Sequence, residues 1–523
     1  MLSKSDLLAY RQCPRKLWLL KNRPELVPAE NINLDRRAMD GDIVGEKARE
    51  ALGRDAVWPK GYADKKLAMM KALEQIVSKP GQPIVEMPMV RDGLYVRVDA
   101  LVPDGEANGY ALQETKASTF PLKPNKSVPG EPDKHHLDDV AIQVWVAQNS
   151  GLEISRAELN LLDNQWRYPG KGDYSGLFRP MVVDEKIANL VPDVPQWLED
   201  CERIVASEAM PEIHTGPQCK DPYECPFKDF CVKHEPAPEE HPIELLPDSA
   251  GKGLAKKLRI NKGYTSLLQP APEELVGAQA ELYRRIQEAH RTGAAVMVPG
   301  AQEYLDSLPY PRYYFDFEGI DLPVPRWEGV RPYEQVPFQW SCHIERSPGV
   351  FEHHSFLDLT GDDPSLPCVN RMLEVIDPDC VGPIFVYYKP YEKGRLEELA
   401  IRHPQHEAAM AKYIARLVDL LPVVKNHFYH PDMKGSFSIK KVLPVIAPDL
   451  DYSTLEGVQE GTGAQVAYLH ACFNADSTQA IRENIRKNLL KYCDQDTWAM
   501  VEVAYFMAGR VRPQGLRPPS QGV

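Results

Sequence analysis

Strand-like runs with apolar positions two apart, as at Val96, Val98 and Ala100, lie between residues 83 and 119. PIVEMPMV and LYVRVDALVPDG read as strands joined at Arg91-Asp92-Gly93. A third strand, GYALQETKAST, follows the turn Pro103-Asp104-Gly105. Elsewhere the period lengthens to that of a helix. Ser3 and Asp6 open an amphipathic helix that breaks at Cys13-Pro14. MDGDIVGEKAREALG is helical, with Glu46 among small and apolar residues. HHLDDVAIQVWVAQNSG is an amphipathic helix with Gln143 on an otherwise apolar face. HEPAPEEHPIELLPDS reads as a linker into a basic helical stretch. Beyond it, Tyr313-Tyr314-Phe315-Asp316-Phe317-Glu318-Gly319 predicts an aromatic strand. PFQWSCHIE and FEHHSFLDL continue it as an antiparallel meander. PIFVYYKPYEKGRLEELAIRHP is a buried strand entering a helix, and RENIRKNLLKYCDQDTWAMVEVAYFM is one long helix.

The 523 residues exceed what one core holds, so more than one domain is expected. Hydrophobic content of 43% and charged content of 26% suit a globular protein. No apolar run reaches the ~18 residues of a membrane span. The first residues carry Arg and Lys inside their apolar stretch and lack a small-residue cleavage site, so no signal peptide and a cytoplasmic location are expected. The net charge of −14 argues against a simple nucleic-acid coating protein, but not against a nuclease with a local basic channel. Arg11, Arg15, Lys16, Lys21 and Arg23 form one such basic cluster, readable as a solvated face or as a phosphate contact.

Period two places Glu114 and Lys116 on one face, and the hairpin brings Asp99 near Glu114. Two carboxylates can hold a metal, and the ammonium beside them can orient a water. Cross-strand ion pairing at a surface is the alternative. This D…E-x-K hairpin resembles the PD-(D/E)XK nuclease superfamily. Its RecB-like members carry a glutamine on the following helix, where Gln143 stands, with Ala147 in place of their usual tyrosine. Cys219, Cys225 and Cys231 crowd into GPQCKDPYECPFKDFC, with Cys13 far upstream. Thiolates in such a set favour iron–sulfur or zinc. One N-terminal and three C-terminal cysteines around a nuclease core resembles the iron–sulfur nucleases, among them the CRISPR-associated RecB-like exonucleases and AddB subunits. That resemblance implies a structural [4Fe–4S] cluster on Cys13, Cys219, Cys225 and Cys231, with zinc as the alternative. Cys201, Cys342, Cys368, Cys380, Cys472 and Cys493 read as core residues. Glu46 is a further candidate acid; RecB-like relatives often have a histidine near there.

In the aromatic strand, Asp316 and Glu318 share a face, and a divalent cation is the simplest partner for two buried like charges. A surface strand with solvated acids is the alternative. Late in the chain, Tyr492 and Asp496 share one helix face. This order resembles the DnaQ-like (DEDD) 3′→5′ exonucleases, which have an RNase H-like fold. Asp316-x-Glu318 matches their first motif and Tyr492-x-x-x-Asp496 the third. In the second, Tyr388-Lys389-Pro390-Tyr391-Glu392 keeps the aromatic but has Tyr for Asn and Glu for Asp; Asp419 is a substitute candidate. The resemblance implies that Asp316, Glu318, Glu392 and Asp496 bind Mg²⁺ or Mn²⁺ and that Tyr492 positions the attacking water.

The expected fold is therefore α/β with two domains and a helical linker between them. Residues 1–240 would be an iron–sulfur, restriction-endonuclease-like domain and 305–510 a DnaQ-like, RNase H-like domain. Residues 241–304 would be a spacer, faintly similar to helix–hairpin–helix modules, and 511–523 a disordered tail. The whole resembles a bacterial family that fuses these two nucleases. It implies a metal-dependent exonuclease on DNA, with RNA as the other substrate, no membrane role, and Lys116, Gln143 and Tyr492 assisting the metal ligands. Two other classes fit the residues: a catalytically impaired nucleic-acid-binding scaffold, and a zinc-stabilised structural protein.

Overall fold

The structure, a computed structural model, describes all residues except 29–31, 54, 59–64, 79–80, 106–108, 124–128, 238, 451–460, 513–514 and 516–523. Most of the expected tail lies outside the described residues. The chain forms two compact units, residues 1–236 with 322–334, and 237–321 with 335–523. Each combines helices with a mixed sheet, so the α/β expectation holds. Among the described residues no helix is long and apolar enough to cross a membrane.

The first unit runs β1 (Leu2–Ser3), α1 (Lys4–Gln12), α2 (Pro14–Asn22), α3 (Ile32–Ala51), α4 (Lys65–Ser78), β2 (Ile84–Arg91), β3 (Leu94–Asp104), β4 (Gly109–Thr119), α5 (Lys134–Asn149), β5 (Ile154–Leu162), β6 (Phe178–Val182), α6 (Asp184–Ile187), α7 (Val194–Ala206) and α8 (Lys228–Lys233). Its sheet has the order β1-β3-β4-β5-β6, with β2 also on β3. Ser3 and Asp6 close a capping box that starts α1. Asp92 and Gly93 both take positive φ, which turns β2 tightly into β3. β2, β3 and β4 are antiparallel, while β4 and β5 are parallel and need the crossover that α5 supplies. Val140, Ile142, Val146 and Ala147 of α5 bury against Met87, Val98, Leu112 and Leu159 of the sheet, fixing the face on which Gln143 stands.

The second unit runs α9 (Asp248–Lys262), α10 (Ala280–Thr292), β7 (Val296–Met297), α11 (Ala301–Asp306), β8 (Arg312–Asp321), β9 (Gln335–Ser347), β10 (Val350–Leu357), α12 (Ser365–Val375), β11 (Ile384–Val386), α13 (Lys389–Arg402), α14 (Glu407–Arg416), β12 (Leu417–Asp419), α15 (Leu420–His427), β13 (Phe428–Tyr429), α16 (Ile439–Ile446), α17 (Gly461–Phe473) and α18 (Gln479–Met507). Its main sheet has the order β10-β9-β8-β11-β12. The expected meander β8-β9-β10 is antiparallel, and β11 and β12 add in parallel. The aromatics of β8 are buried, as its composition predicts.

Two boundaries differ from the sequence expectation. Residues 241–304 are not a spacer: Ile243, Leu246, Leu258 and Ile286 join one core with Phe428 and Val501 of the second unit. The Pro- and Glu-rich composition hid these few apolar anchors. Residues 322–334, between β8 and β9, belong to the first unit, where the Tyr333 hydroxyl donates to the Ala117 carbonyl at 2.6 Å.

Candidate functional site

In the first unit, Asp99, Glu114, Lys116 and Gln143 come together as the hairpin and α5 predict. The Thr115 N–H donates to Asp99 Oδ2 at 2.9 Å, which ties β3 to β4 at the acids. Lys116 Nζ donates to Glu114 Oε1 at 2.6 Å and to Asp139 Oδ2 at 2.5 Å. Gln143 Nε2 donates to Glu114 Oε2 at 2.6 Å and to Asp139 Oδ1 at 2.8 Å. Lys4 of α1 lies 2.9 Å from both Glu114 and Asp139. The sequence reading missed Lys4 and Asp139. Asp139 had a signal, since it lies one helical turn before Gln143 and so on the same face. Lys4 had none, because only the fold brings the first helix over the sheet.

Burial opposes every charge in this cluster, and the partners decide the outcome. Burial and the Glu114 carboxylate push Asp99 up to about 7, against Lys4 and Lys116. Burial works against Lys116, but Asp139 and Glu114 hold it well above the ordinary lysine value. Asp139 is held below the usual carboxylate range by Lys116 and Lys4 despite its burial. Asp99 and Glu114 open onto a recess of about 770 Å³ that Asp42, Arg49 and Arg97 also line. Glu46 is exposed on α3 and does not line it; Asp42, one turn earlier, presents the acid of that helix instead. Lys116 also faces a broad groove edged by Arg11, Lys16, Arg37 and Lys134.

Cys13, Cys219, Cys225 and Cys231 line a single recess of about 300 Å³ beside Arg15 and Lys16. Burial pushes the Cys225 and Cys231 thiols up, while Lys16 works against this at Cys225 and Arg15 at Cys231. Among the described residues no three of these sulfurs lie within 4.8 Å of one another. Cys201, Cys342, Cys368 and Cys493 are buried away from it, as expected of core residues, and Cys380 and Cys472 are half-buried.

In the second unit, carboxylate oxygens of Asp316, Glu318 and Asp496 lie within 4.8 Å of one another. Glu392, in the first turn of α13, is 2% exposed, and its Oε2 has no hydrogen-bond partner among the described residues. All four acids line a recess of about 930 Å³, together with Tyr492 and Lys440. The acids are therefore not solvated surface groups. Burial and then Asp496, Glu318 and Glu392 hold Asp316 well above the usual carboxylate range. Burial and Asp496 do the same to Glu318, and burial and Asp419 push Glu392 up to about 8. Asp316, Glu318 and Asp496 are residues that could hold a cation. Lys440 of α16, which no sequence period links to the acids, donates to the Tyr492 hydroxyl at 3.1 Å.

Asp419 and Glu392 divide their roles. Asp419 accepts from the backbone N–H groups of Tyr388, Lys389 and Leu421 at 3.0, 2.9 and 3.0 Å. It is a backbone cap, and Glu392 is the acid that lines the recess. The cap holds Tyr388 at a φ of 89°, where a non-glycine residue is strained, and leaves it 56% exposed at the mouth of the recess.

Residues 313–438 match a family model described as a domain of unknown function (DUF2779). The match spans β8, Glu392 and Asp419 and stops short of Tyr492 and Asp496. An uncharacterized protein of Mycoplasma genitalium is 25% identical over 228 residues, 40% of this chain and 34% of that protein. An uncharacterized protein of Ureaplasma parvum is 27% identical over 238 residues, 40% of this chain and 32% of that protein. The chain spans about a third of the length of the curated relatives it matches.

Proposed function

We propose that this protein is a metal-dependent nuclease that hydrolyses phosphodiester bonds, an exonuclease on DNA with RNA as the alternative substrate. The observation that carries the reading is the convergence of four carboxylates on one recess, Glu318 and Glu392 buried and Asp316 and Asp496 half-buried, with a Glu392 oxygen that has no hydrogen-bond partner among the described residues. These residues would hold Mg²⁺ or Mn²⁺, which supply an activated water and neutralise charge on the leaving oxygen. The chain adds its own groups. The Tyr492 hydroxyl, fixed by Lys440, orients the water from one face of α18. Lys440, which lines the same recess, would also offer a positive charge to the scissile phosphate. The second unit on this reading has the DnaQ-like, RNase H-like fold, and the cytoplasmic location belongs to the same reading.

The first unit would be the PD-(D/E)XK, RecB-like centre. Asp99 and Glu114, with Asp42 in the role expected of Glu46, would hold its metal, and Lys116 and Gln143 would position the acids. Cys13, Cys219, Cys225 and Cys231 would hold a [4Fe–4S] cluster that fastens α2 to the segment around α8. One observation favours a second reading for this unit alone. Lys4, Lys116 and Gln143 already occupy Glu114 and Asp139. Their charges are largely matched without a cation, as in a nucleic-acid-binding platform that does not cut.

The test is hydrolysis of end-labelled single-stranded DNA and RNA with Mg²⁺ or Mn²⁺ by anaerobically purified wild type, Asp316→Ala, Lys116→Ala and the double variant. Two active centres predict that each single variant loses a distinct part of the activity. If Lys116→Ala changes only salt-sensitive binding, the first unit is a platform. Equal inertness of wild type and double variant on every substrate sinks the enzyme reading.

A further inference from the structure

β9 turns Gln339, Ser341, His343 and Glu345 to one side, and all four are buried. A row of buried polar residues on a central strand is costly unless each is bound. Gln339 donates to the Leu489 carbonyl of α18 at 2.8 Å, and the Tyr505 hydroxyl donates to Glu345. Between them lies a denser cluster. His343 pairs directly with His353 across β9 and β10, and their rings stack with centroids 4.4 Å apart. Both are buried, at 0% and 2% exposure. From the other side, α18 brings in Asp494. Its Oδ1 lies 3.4 Å from His343 Nε2 and 3.5 Å from His353 Nε2.

Two features separate this cluster from an ordinary buried hydrogen-bond network. The first is the spacing. N–H···O bonds run at ~2.7–3.2 Å. Ligands bonded to one tetrahedral zinc at ~2.0–2.1 Å stand ~3.3 Å apart. Both nitrogens approach Asp494 at the second distance, and the three donor atoms lie within 4.8 Å of one another. The second is the way the ring is held. Thr497 Oγ1 lies 2.9 Å from His343 Nδ1, 2.8 Å from Ser341 Oγ, and 3.3 and 3.2 Å from the Cys493 and Asp494 carbonyls. These contacts fix the ring through Nδ1 and leave Nε2 on the side of the carboxylate. An imidazole fixed through one nitrogen, with the other aimed at a shared centre, is how proteins present histidine to a metal. Ser341 Oγ, 2.9 Å from His353 Nε2, offers a further oxygen.

We propose that His343, His353 and Asp494 form a buried site for one divalent transition-metal ion, of the zinc class by its two imidazoles and one carboxylate. The site is distinct from the acid recess, whose oxygen-only donors suit Mg²⁺ or Mn²⁺. Its role is structural. Asp494 lies on α18 between Tyr492 and Asp496, so the ion locks the register of α18 on the sheet that carries Asp316 and Glu318. The inference does not depend on the nuclease reading, because its readout is the metal itself.

The experiment loads the full chain with Zn²⁺ after chelation and removes the excess. It then measures metal content together with zinc X-ray absorption, which separates nitrogen and oxygen ligands at ~2.0 Å from sulfur at ~2.3 Å. The wild type is expected to hold about one equivalent of imidazole-ligated zinc. His353→Gln and Asp494→Asn should each lose that equivalent, while Asp316→Asn keeps it. The spectrum of the wild type needs no variant to fold. A wild type whose retained zinc shows no imidazole ligation overturns the proposal. So does a folded His353→Gln protein that keeps the same ligation as wild type.

Discussion

Lys440 donates its ammonium proton to the Tyr492 hydroxyl, 3.1 Å away, inside the recess that holds four acids. The pair joins α16 to α18 and sets where the phenol points. Lys440→Met should lower turnover by the second-unit centre about 10- to 100-fold, with a smaller change in KM. Tyr492→Phe should cost a similar amount, and the double variant little more than either alone, because the two act as one unit. Steady-state kinetics of the four proteins on one end-labelled substrate checks this. Fully additive losses would show that the two residues act independently.

Stability of the metal-free protein should fall as pH rises. Glu392 is pushed up to about 8, and Asp316 and Glu318 are raised as well. A carboxyl with a raised folded value keeps its proton better folded than unfolded. Its contribution is complete below the ordinary Glu value of ~4.3 and is lost as pH climbs through about 8. Thermal melting between pH 4 and 9 should therefore show a decline of several degrees. Mn²⁺ should reverse the decline, and Glu392→Gln should flatten it. A wild-type profile that is level without metal would contradict the electrostatics of the recess.

Asp419→Ala removes the acceptor of three backbone N–H groups at the β11–α13 junction. The expected loss is about 2–4 kcal/mol. Urea unfolding measures it, and Asp419→Asn, which keeps one acceptor oxygen, should lie between. Release of Tyr388 from its strained φ should accompany the loss. An Asp419→Ala protein as stable as wild type would mean that the three N–H groups find other acceptors.

Asp139→Leu leaves Lys4 and Lys116 beside an apolar side chain. Each now lies within 2.9 Å of an Asp139 oxygen. The expected cost is roughly 2–3 kcal/mol, since both ammonium groups retain Glu114 and some solvent. Asp139→Asn should be milder. Chemical denaturation of the full chain, followed by a probe in the first unit, tests the order.

On the proposed [4Fe–4S] reading, the anaerobically purified protein contains iron, and Cys225→Ser should abolish that iron and its visible absorbance and lower the melting temperature of the first unit. Cys201→Ser, in the apolar core of the same unit, should leave iron unchanged. Iron and sulfide analysis decides. Zinc with sulfur ligation in place of iron would give the alternative cofactor.

Much of each acid site was legible because strands and helices repeat with fixed periods. Period two alone puts Glu114 beside Lys116 and Asp316 beside Glu318, and one helical turn links Tyr492 to Asp496. The same rule applied once more would have reached Asp139 from Gln143 and Asp42 from Glu46. Asp42 and Glu46 share a face of α3, so periodicity alone did not say which of the two lines the recess.

The sequence by itself determined most elements and which residue types could do chemistry on each strand and helix. Tertiary structure decided which of those residues meet. Lys4 reaches Glu114 across 110 positions, and Asp494 reaches His343 and His353 from a helix far downstream. It also drew 241–304 into a core and handed 322–334 to the other unit. The reason is physical. Periodicity and turn chemistry are local and are written in neighbouring residues. Partner choice at long range depends on which surfaces pack, and that is set by the summed burial of the whole chain.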